Sequence, residues 1–315
     1  MIFSNVLVTG GAGFIGSQLI KKILPNCRHI YVIDDLSTGL REAIPLSPKI
    51  TFLQDSITNK EILRQVIPKV EYIFHLACSN LLKSIDNLAG DFHTNLYGGY
   101  LLLQTAYENC PNLKGFVYTS TTSVYSDADL IPTTENYYKI RLPYAASKFS
   151  TEHYCAVYHH MYQLPVTVLR LSNVFGPGQT PSNPYCGVIA KFFEAIKKKD
   201  PLIIYGDGQQ TRDFTFIDDA LEAIVLAAVK KEGIGRVYNV GTGQETSITE
   251  LAREIKQITG FTEGLLEFRP KRPVDIVQRR NIDATKIQNE LHWQVNYSLA
   301  EGLEKTFRWL KEAEN

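Results

Sequence analysis

Apolar runs alternate with amphipathic stretches along most of the chain. Short runs rich in β-branched residues are typical of buried strands, and apolar residues that recur every three or four positions indicate helices. Strands are predicted at Val6–Thr9, Ile30–Asp34, Ile50–Gln54, Tyr72–Ala77, Gly115–Ser120, Val166–Leu171 and Leu202–Tyr205. Helices are predicted at 15–24, 60–67, 92–109, 144–163, 188–198, 248–258 and 299–313. This alternation predicts an α/β fold, with a parallel sheet covered by helices on both faces.

A segment rich in glycine and proline, from Gly176 to Pro184, marks the edge of a second region. The chain has 315 residues, 44% of them hydrophobic, which is enough to bury a large core and to form two lobes. We therefore expect a sheet domain, a smaller α/β lobe in the C-terminal part, and a cleft between them.

Charge and apolar content exclude several classes of partner. The formal net charge is zero, and the longest basic block is Lys197–Lys199, so a nucleic-acid-binding surface is not predicted. No apolar run approaches the roughly 20 residues that a transmembrane helix needs. The N-terminus lacks the pattern of a signal peptide. We therefore expect a cytoplasmic protein without membrane contact.

The cysteines and histidines give no indication of a metal site. Five cysteines are scattered along the chain, at positions 27, 78, 110, 155 and 186, without a CxxC pair. They have no metal-ligand spacing with the seven histidines. The sequence therefore predicts reduced thiols and no metal.

A glycine-rich segment directly follows the first predicted strand and begins a helix. Gly10, Gly13 and Gly16 permit a tight turn, a close approach of the backbone to a pyrophosphate, and close packing of the helix on the sheet. Free N–H groups at the start of that helix favour an anion. Asp34 ends the next strand, where a carboxylate can bind a ribose 2′-hydroxyl and repel a 2′-phosphate. The pattern predicts a dinucleotide site with NAD favoured over NADP, although Arg28 and Arg41 are near in sequence.

A second group of residues has the chemistry to move a proton. Tyr144 and Lys148 are four residues apart and so lie on one face of a helix, where the ammonium group can favour tyrosinate. A hydroxyl run at 119–123 ends the preceding predicted strand and can hold a substrate alcohol. Together with bound NAD, this set predicts oxidation of a sugar alcohol.

These segments and several others resemble the extended short-chain dehydrogenase/reductase proteins, within the NAD-dependent nucleotide-sugar epimerase/dehydratase group that includes UDP-glucose 4-epimerase. The resemblance runs essentially from end to end. It rests on Gly10–Gly16, Asp34–Gly39, Asp55-Ser56-Ile57, His75-Leu76-Ala77, Asn95, Thr119-Ser120-Thr121, Val124-Tyr125, Tyr144 with Lys148, Leu169-Arg170, Asn173–Pro177, Ile204–Gly208, Thr211–Phe214, Tyr238–Gly243, Arg272-Pro273 and Asp275.

The resemblance implies a Rossmann-type doubly wound parallel sheet with a smaller α/β substrate lobe. It implies NAD-binding residues from the motifs: Gly10, Gly13, Phe14, Ile15, Gly16, Asp34, Asp35, Ser37, Thr38, Gly39, Asp55, Ser56, Leu76, Ala77, Cys78, Asn95, Ser120, Tyr144, Lys148 and Leu171. Residues 1–171 with about 214–241 would form the NAD-binding domain. Residues of about 172–213 with 242–315 would bind the nucleotide sugar.

The resemblance also implies the catalytic and substrate-binding residues and a dimer. Thr121 stands at the position of the catalytic Ser or Thr, beside Tyr144 and Lys148. The residues expected to hold the nucleotide sugar are Thr121, Asn173, Gly187, Val188, Arg212, Arg272 and Asp275. The arginines suit phosphate because a guanidinium binds it through two parallel hydrogen bonds. A homodimer would form through the helices at 92–109 and 144–163.

The residues after Thr121 bear on the reaction. Members of the group that eliminate water carry an Asp-Glu pair there, because elimination needs an acid and a base. Here the positions hold Thr122 and Ser123, and the Glu of decarboxylases and the Cys of 3,5-epimerising members are also missing. We therefore expect a UDP-hexose 4-epimerase. The alternatives are a dehydratase or another keto-sugar-modifying member, a dehydrogenase that releases NADH, and a catalytically silent NAD-binding regulatory protein.

Some positions depart from the group's pattern. Cys78 replaces a small Ala or Gly, and we expect a small buried apolar filler there, with a reactive thiol as the alternative. Ser126 stands where glycine follows Val-Tyr. The loop at 79–84 and the segment from Asp275 to Asp283 differ in length, so their substrate-facing residues are not assigned.

Overall fold

A computed structural model describes residues 3–180, 187–261 and 265–312. Three sequence expectations concern residues outside these ranges: Cys186, Pro184 and position 313 of the C-terminal helix. The strands in chain order are β1 (Phe3–Thr9), β2 (Cys27–Asp34), β3 (Ile50–Gln54), β4 (Tyr72–His75), β5 (Gly115–Thr121), β6 (Val166–Leu171), β7 (Asn173–Phe175), β8 (Leu202–Tyr205), β9 (Thr211–Arg212), β10 (Phe214–Phe216), β11 (Val237–Val240), β12 (Thr246–Ser247) and β13 (Leu266–Arg269).

Helices connect most of these strands. They are α1 (Phe14–Ile23), α2 (Lys60–Val66), α3 (Leu81–Asp86), α4 (Leu88–Asp91), α5 (Gly98–Asn109), α6 (Pro143–Tyr162), α7 (Val188–Lys198), α8 (Ile217–Val229), α9 (Ile248–Thr259), α10 (Thr285–Leu291) and α11 (Leu299–Glu312). A π-helical turn (Phe92–Tyr97) joins α4 to α5, and a 3₁₀ turn (Thr122–Tyr125) follows β5. No helix in the described part of the chain combines the length and apolarity needed to cross a membrane.

Seven strands form the central parallel sheet in the order β11-β6-β5-β4-β1-β2-β3, which confirms the predicted fold class. Successive residues of β1 point to opposite faces, so Val6 and Val8 pack in one apolar core and Leu7 in the other. The chain order reverses between β1 and β4. In open α/β sheets, ligands bind at such a reversal, beyond the carboxyl ends of the strands.

The later part of the chain contributes to the sheet and to smaller structures beside it. β11 pairs with β6 through Val237–Val240, and α8 packs on β5 and β6. Within the described ranges, three two-stranded sheets lie outside the central one: β7 with β10, β9 with β12, and β8 with β13. Helix α9 begins with a capping box, in which the Ser247 and Glu250 side chains each accept a backbone N–H from the other residue.

Candidate functional site

A cavity of about 480 Å³ lies at the carboxyl ends of the central strands, where β1 and β4 are neighbours. Most of the residues predicted to hold a dinucleotide line it, as do those predicted to react. They are Gly10, Gly13, Phe14, Ile15, Gly16, Asp34, Asp35, Ser37, Thr38, Asp55, Ser56, Leu76, Ala77, Cys78, Ser120, Thr121, Tyr144, Lys148 and Leu171. We call this the first cavity.

The glycine-rich turn forms one wall of the first cavity, and its shape requires glycine. Gly10 has φ +70°, and a Cβ there would lie 2.5 Å from the Ala77 backbone nitrogen. A Cβ on Gly16 would lie 2.2 Å from the Gly10 carbonyl oxygen. Helix α1 begins directly after Gly13, and no side chain caps its first N–H groups in the described structure. These features fit a pyrophosphate held by backbone N–H groups.

Asp34 lies beside the turn and is already hydrogen-bonded. Its two carboxylate oxygens accept the backbone N–H groups of Ala12 and Leu36, each at 2.9 Å. Each oxygen keeps a lone pair for a ligand hydroxyl. Burial raises the pKa of Asp34, and the two backbone hydrogen bonds oppose this effect. Neither Arg28 nor Arg41 is among the described residues that line the cavity, so neither is placed there to bind a 2′-phosphate.

Two residues predicted to bind the cofactor do not line the cavity. Gly39 packs against the glycine-rich turn, where a Cβ would lie 2.8 Å from the Ala12 backbone carbon. Asn95 is buried in the π-helical turn: its amide oxygen accepts the Ser79 backbone N–H at 2.8 Å, and its amide nitrogen donates to Asp91 at 2.6 Å. Gly39 and Asn95 therefore contact the segments that form the wall of the cavity, and do not line the cavity themselves.

The structure brings the three predicted catalytic residues to one end of the first cavity. Thr121 ends β5, and Tyr144 lies in the first turn of α6, which begins at Pro143. Proline suits a first helical position because it has no N–H to leave unpaired there. Lys148 follows one turn later, is buried, and has its Nζ 4.4 Å from the centre of the Tyr118 ring.

Burial dominates the electrostatics of this end of the cavity. It raises the pKa of Tyr144 well above its ordinary value; the nearby Cys78 thiol adds to this effect, and a hydrogen bond with Thr121 opposes it. Burial also lowers the pKa of Lys148. Both pKa shifts disfavour the charged forms that were expected from the sequence, the tyrosinate of Tyr144 and the ammonium of Lys148, because burial removes both groups from water. A bound cation beside Tyr144 would favour the tyrosinate.

Cys78 differs from the sequence expectation. It was expected to be a small buried apolar filler, but its side chain is exposed and lines the first cavity next to Tyr144. The reason is its position: β4 ends at His75, and Cys78 lies in the irregular segment after the strand, whose residues line the cavity. The expectation of a buried filler was therefore wrong.

A buried ion pair beside the site was not predicted from the sequence. Arg170 Nη2 lies 2.7 Å from Glu152 Oε2, and both side chains are almost completely buried. Glu152 also accepts a hydrogen bond from Ser120, which lines the first cavity. Glu152 follows Lys148 by four residues on α6, so the spacing that linked Tyr144 to Lys148 extends one turn further.

A second cavity of about 400 Å³ adjoins the first, and Asn173 lines both. All of the predicted substrate-binding residues except Thr121 line the second cavity: Asn173, Gly187, Val188, Arg212, Arg272 and Asp275. Arg272 forms a two-point ion pair with Asp275, at 2.8 Å from each oxygen, so Asp275 positions this arginine. Arg212 Nη1 donates to the carbonyl oxygens of Thr211 and Val277.

Other residues at the cavities were not assigned from the sequence. The segment 79–84 was expected to be a loop, but α3 begins at Leu81 after its N-cap Asn80. Asn80 and Lys83 line the first cavity, while Leu81 and Leu82 line the second. Arg280 also lines the second cavity. No periodicity distinguishes it from its exposed neighbour Arg279, so the sequence did not indicate which of the two points inward.

Comparisons with known proteins agree with this geometry. The model of the NAD dependent epimerase/dehydratase family matches residues 6–241. The chain is 36% identical over 314 residues to a UDP-glucose 4-epimerase of Mycolicibacterium smegmatis, covering 98% of each chain.

Two solved structures are also similar. A UDP-glucose 4-epimerase from Thermotoga maritima, solved with UDP-glucose, superposes with a TM-score of 0.93 at 34% identity, covering 99% of this chain and 100% of the other. A dTDP-glucose 4,6-dehydratase from Streptomyces venezuelae, solved with NAD bound, superposes with a TM-score of 0.90 at 29% identity, covering 98% of this chain and 97% of the other.

Proposed function

Since the chain belongs to the NAD-dependent epimerase/dehydratase family, we propose that it is a nucleotide-sugar 4-epimerase that uses NAD and acts on a UDP-hexose. One observation carries the proposal: Thr121, Tyr144 and Lys148 line one end of the first cavity, while Thr122 and Ser123 follow in place of an acid–base pair. The epimerases of similar sequence and structure support the same reaction.

Each cavity is assigned one ligand. NAD would occupy the first cavity, with its pyrophosphate at the glycine-rich turn and its adenosine ribose at Asp34. The nucleotide sugar would occupy the second cavity, with its diphosphate at Arg212 and Arg272. This assignment agrees with a division into an NAD-binding part (1–171 with about 214–241) and a sugar-binding part, a division that stays a prediction.

The residues of the chain then handle one proton. Thr121 Oγ1 holds the C4 hydroxyl, and Tyr144 Oη removes its proton while the ammonium group of Lys148 stabilises the tyrosinate. Bound NAD supplies the hydride acceptor for C4 and, when oxidised, a positive charge that favours tyrosinate. The keto-sugar then rotates in the second cavity so that the opposite face of C4 is presented, and Tyr144 Oη returns the proton to O4. The proton and hydride removed in the first half are both returned, so the cycle consumes no external oxidant.

The test is incubation of the protein with a panel of nucleotide sugars, read by mass spectrometry and proton NMR. A product of unchanged mass with an inverted coupling at C4 is expected. A product lighter by one water would indicate a dehydratase and contradict the proposal. Stoichiometric formation of free NADH would indicate a dehydrogenase.

A tyrosine variant identifies the base. Tyr144→Phe should lower kcat by a factor of roughly 10²–10⁴ and retain NAD binding, because only the proton acceptor is lost. Tyr138→Phe, at an exposed tyrosine near the start of the same helix, is the matched control and should retain activity. A wild type that binds NAD but converts no sugar would support a silent regulatory protein.

We also propose a homodimer formed through α5 and α6. These helices pack on each other and carry exposed apolar or aromatic side chains, at Tyr107, Tyr154, Val157, Met161 and Tyr162. A second copy of the same surface could cover this patch, because equal faces are self-complementary about a two-fold axis.

A cytoplasmic location stays a prediction.

A further inference from the structure

Arg280 is a buried cation that forms no ion pair with a carboxylate in the described part of the chain. Its side chain donates from Nη1 to Thr122 Oγ1 at 3.1 Å and from Nη2 to the Ser126 carbonyl oxygen at 3.3 Å. Among the residues that the structure describes, its Nε has no hydrogen-bond partner and no carboxylate lies within ion-pair distance. Arg170 is similarly buried but is paired with Glu152, so the two buried arginines differ in this respect.

The nearest carboxylates are engaged elsewhere. Asp213 accepts hydrogen bonds from the backbone of Thr242 and Gly243, and Asp127 accepts the backbone N–H of Gln278. Burial, followed by the charge of Arg212, lowers the pKa of Arg280 to about 9, while Tyr125, Asp213 and Asp127 oppose this effect. The group therefore keeps its charge at neutral pH. A buried charge of this kind is costly to maintain unless a ligand pairs with it.

The position of Arg280 indicates which part of a ligand it would meet. Together with Ser123 and Ser126 it lines the second cavity, and its partner Thr122 directly follows Thr121, at the reacting end of the site. Arg272 belongs to a different part of the same cavity, where it stacks 4.4 Å from the Tyr205 ring centre and pairs with Asp275. Arg280 therefore lies on the side of the sugar, and Arg272 on the side of the nucleotide.

We propose that Arg280 binds the carboxylate of a hexuronate, so that the preferred substrate is a nucleoside diphosphate hexuronate. This inference rests on the proposed 4-epimerase function, because that function places C4 at Thr121 and Tyr144. In a hexuronate the carboxylate carbon, C6, is attached to C5, the neighbour of C4. The diphosphate is attached at C1, across the ring. A carboxylate beside C4 would thus reach Arg280 while the diphosphate reaches Arg212 and Arg272.

The first test needs no variant and no turnover. The NAD-loaded protein is titrated by calorimetry with UDP-glucuronate, its neutral amide UDP-glucuronamide, UDP-glucose and UDP. UDP-glucuronate is expected to bind at least about tenfold more tightly than the amide and UDP-glucose, because only its carboxylate pairs with a buried cation. Equal affinities for the acid and its amide would overturn the proposal.

Two neighbouring arginines provide matched variants. Arg280→Met should weaken UDP-glucuronate binding on the order of 100-fold, and UDP-glucose and UDP binding much less. Arg279→Met changes an exposed arginine that pairs with Glu245, and should leave all affinities as in the wild type. Equal losses for UDP and UDP-glucuronate in Arg280→Met would identify a phosphate contact and contradict the proposal. Retained UDP binding also reports that the variant is folded.

The binding data and the turnover data separate this inference from the proposed function. Selective loss of UDP-glucuronate affinity in Arg280→Met, in a protein that epimerises no sugar, would support the carboxylate site and refute the 4-epimerase. Inversion at C4 of UDP-glucose and UDP-glucuronate with equal kcat/KM would support the epimerase and refute the carboxylate site.

Discussion

Replacing Glu152 by glutamine tests whether the buried ion pair below the active site holds α6 in place. Glu152 accepts hydrogen bonds from Arg170 Nη2 at 2.7 Å and from Arg170 Nε at 3.1 Å, and it also accepts the Ser120 hydroxyl. Both charged side chains are at most 5% exposed. Glutamine keeps the volume of the side chain but removes its charge, so the guanidinium of Arg170 would be left buried without a counter-charge.

The expected cost is large for a single substitution. Removing one partner of a buried ion pair destabilises a protein by about 3–5 kcal/mol. At about 2–4 °C per kcal/mol for a large domain, the melting temperature should fall by roughly 6–20 °C. Differential scanning calorimetry measures this shift. Glu71→Gln is the control, because Glu71 pairs with Lys114 at the surface and its loss should shift the midpoint by no more than about 4 °C.

The double variant compares the stability lost when one member of the ion pair is removed with the stability lost when both are removed. Adding Arg170→Met to Glu152→Gln removes the uncompensated charge and should recover part of the stability, since apolar side chains can replace a buried pair. NAD affinity should fall in Glu152→Gln, because Ser120 lines the first cavity. A melting temperature of Glu152→Gln within about 2 °C of the wild type would refute the reasoning, because Arg170 would then need no counter-charge.

Three further changes test other parts of the structure. Gly16→Ala should weaken NAD binding by at least about tenfold, measured by titration, because its Cβ would meet the Gly10 carbonyl oxygen at 2.2 Å; unchanged affinity would contradict this. Burial lowers the pKa of His75 to about 3 from 6.5, so its stabilising contribution is present above pH 6.5 and is lost as the pH falls. Between pH 6.5 and 5, urea unfolding should show the wild type losing about 2 kcal/mol more than His75→Asn, and equal losses would refute the shift. Val157→Glu should convert the dimer to a monomer in light scattering, and a wild type that is already monomeric would contradict the proposed dimer.

Periodicity in the sequence was enough to predict the central sheet and the pair on α6. Strands β3 and β8 have the predicted limits, because each is a short apolar run bounded by polar or turn-forming residues. Tyr144 and Lys148 lie together because their spacing matches one helical turn. Such local relations depend only on residues that are near each other in sequence, so they can be recognised in a single sequence.

Long-range packing could not be predicted in the same way. β1 begins at Phe3, three residues before the predicted start, because Phe3 and Asn5 extend the pairing with β2 although Asn5 is polar. The helix predicted from 92 begins with a π-helical turn, in which the Asn95 side chain bonds the Ser79 backbone. The partners of Arg280 are more than 150 residues away in the sequence, so no local pattern contains them.

The end of β5 passes between the two cavities, and this explains how one scaffold can serve related reactions. Thr121 faces the first cavity, Ser123 faces the second, and Thr122 between them receives a hydrogen bond from Arg280. A substitution at 122 or 123 therefore changes the groups beside the sugar without changing Tyr144, Lys148 or the glycine-rich turn. Similar chains include both an epimerase and a dehydratase with the same fold. Thr122 and Ser123 lie in the 3₁₀ turn that directly follows β5, so divergence at these two neighbouring positions changes groups at or next to the second cavity and leaves the predicted catalytic residues in place.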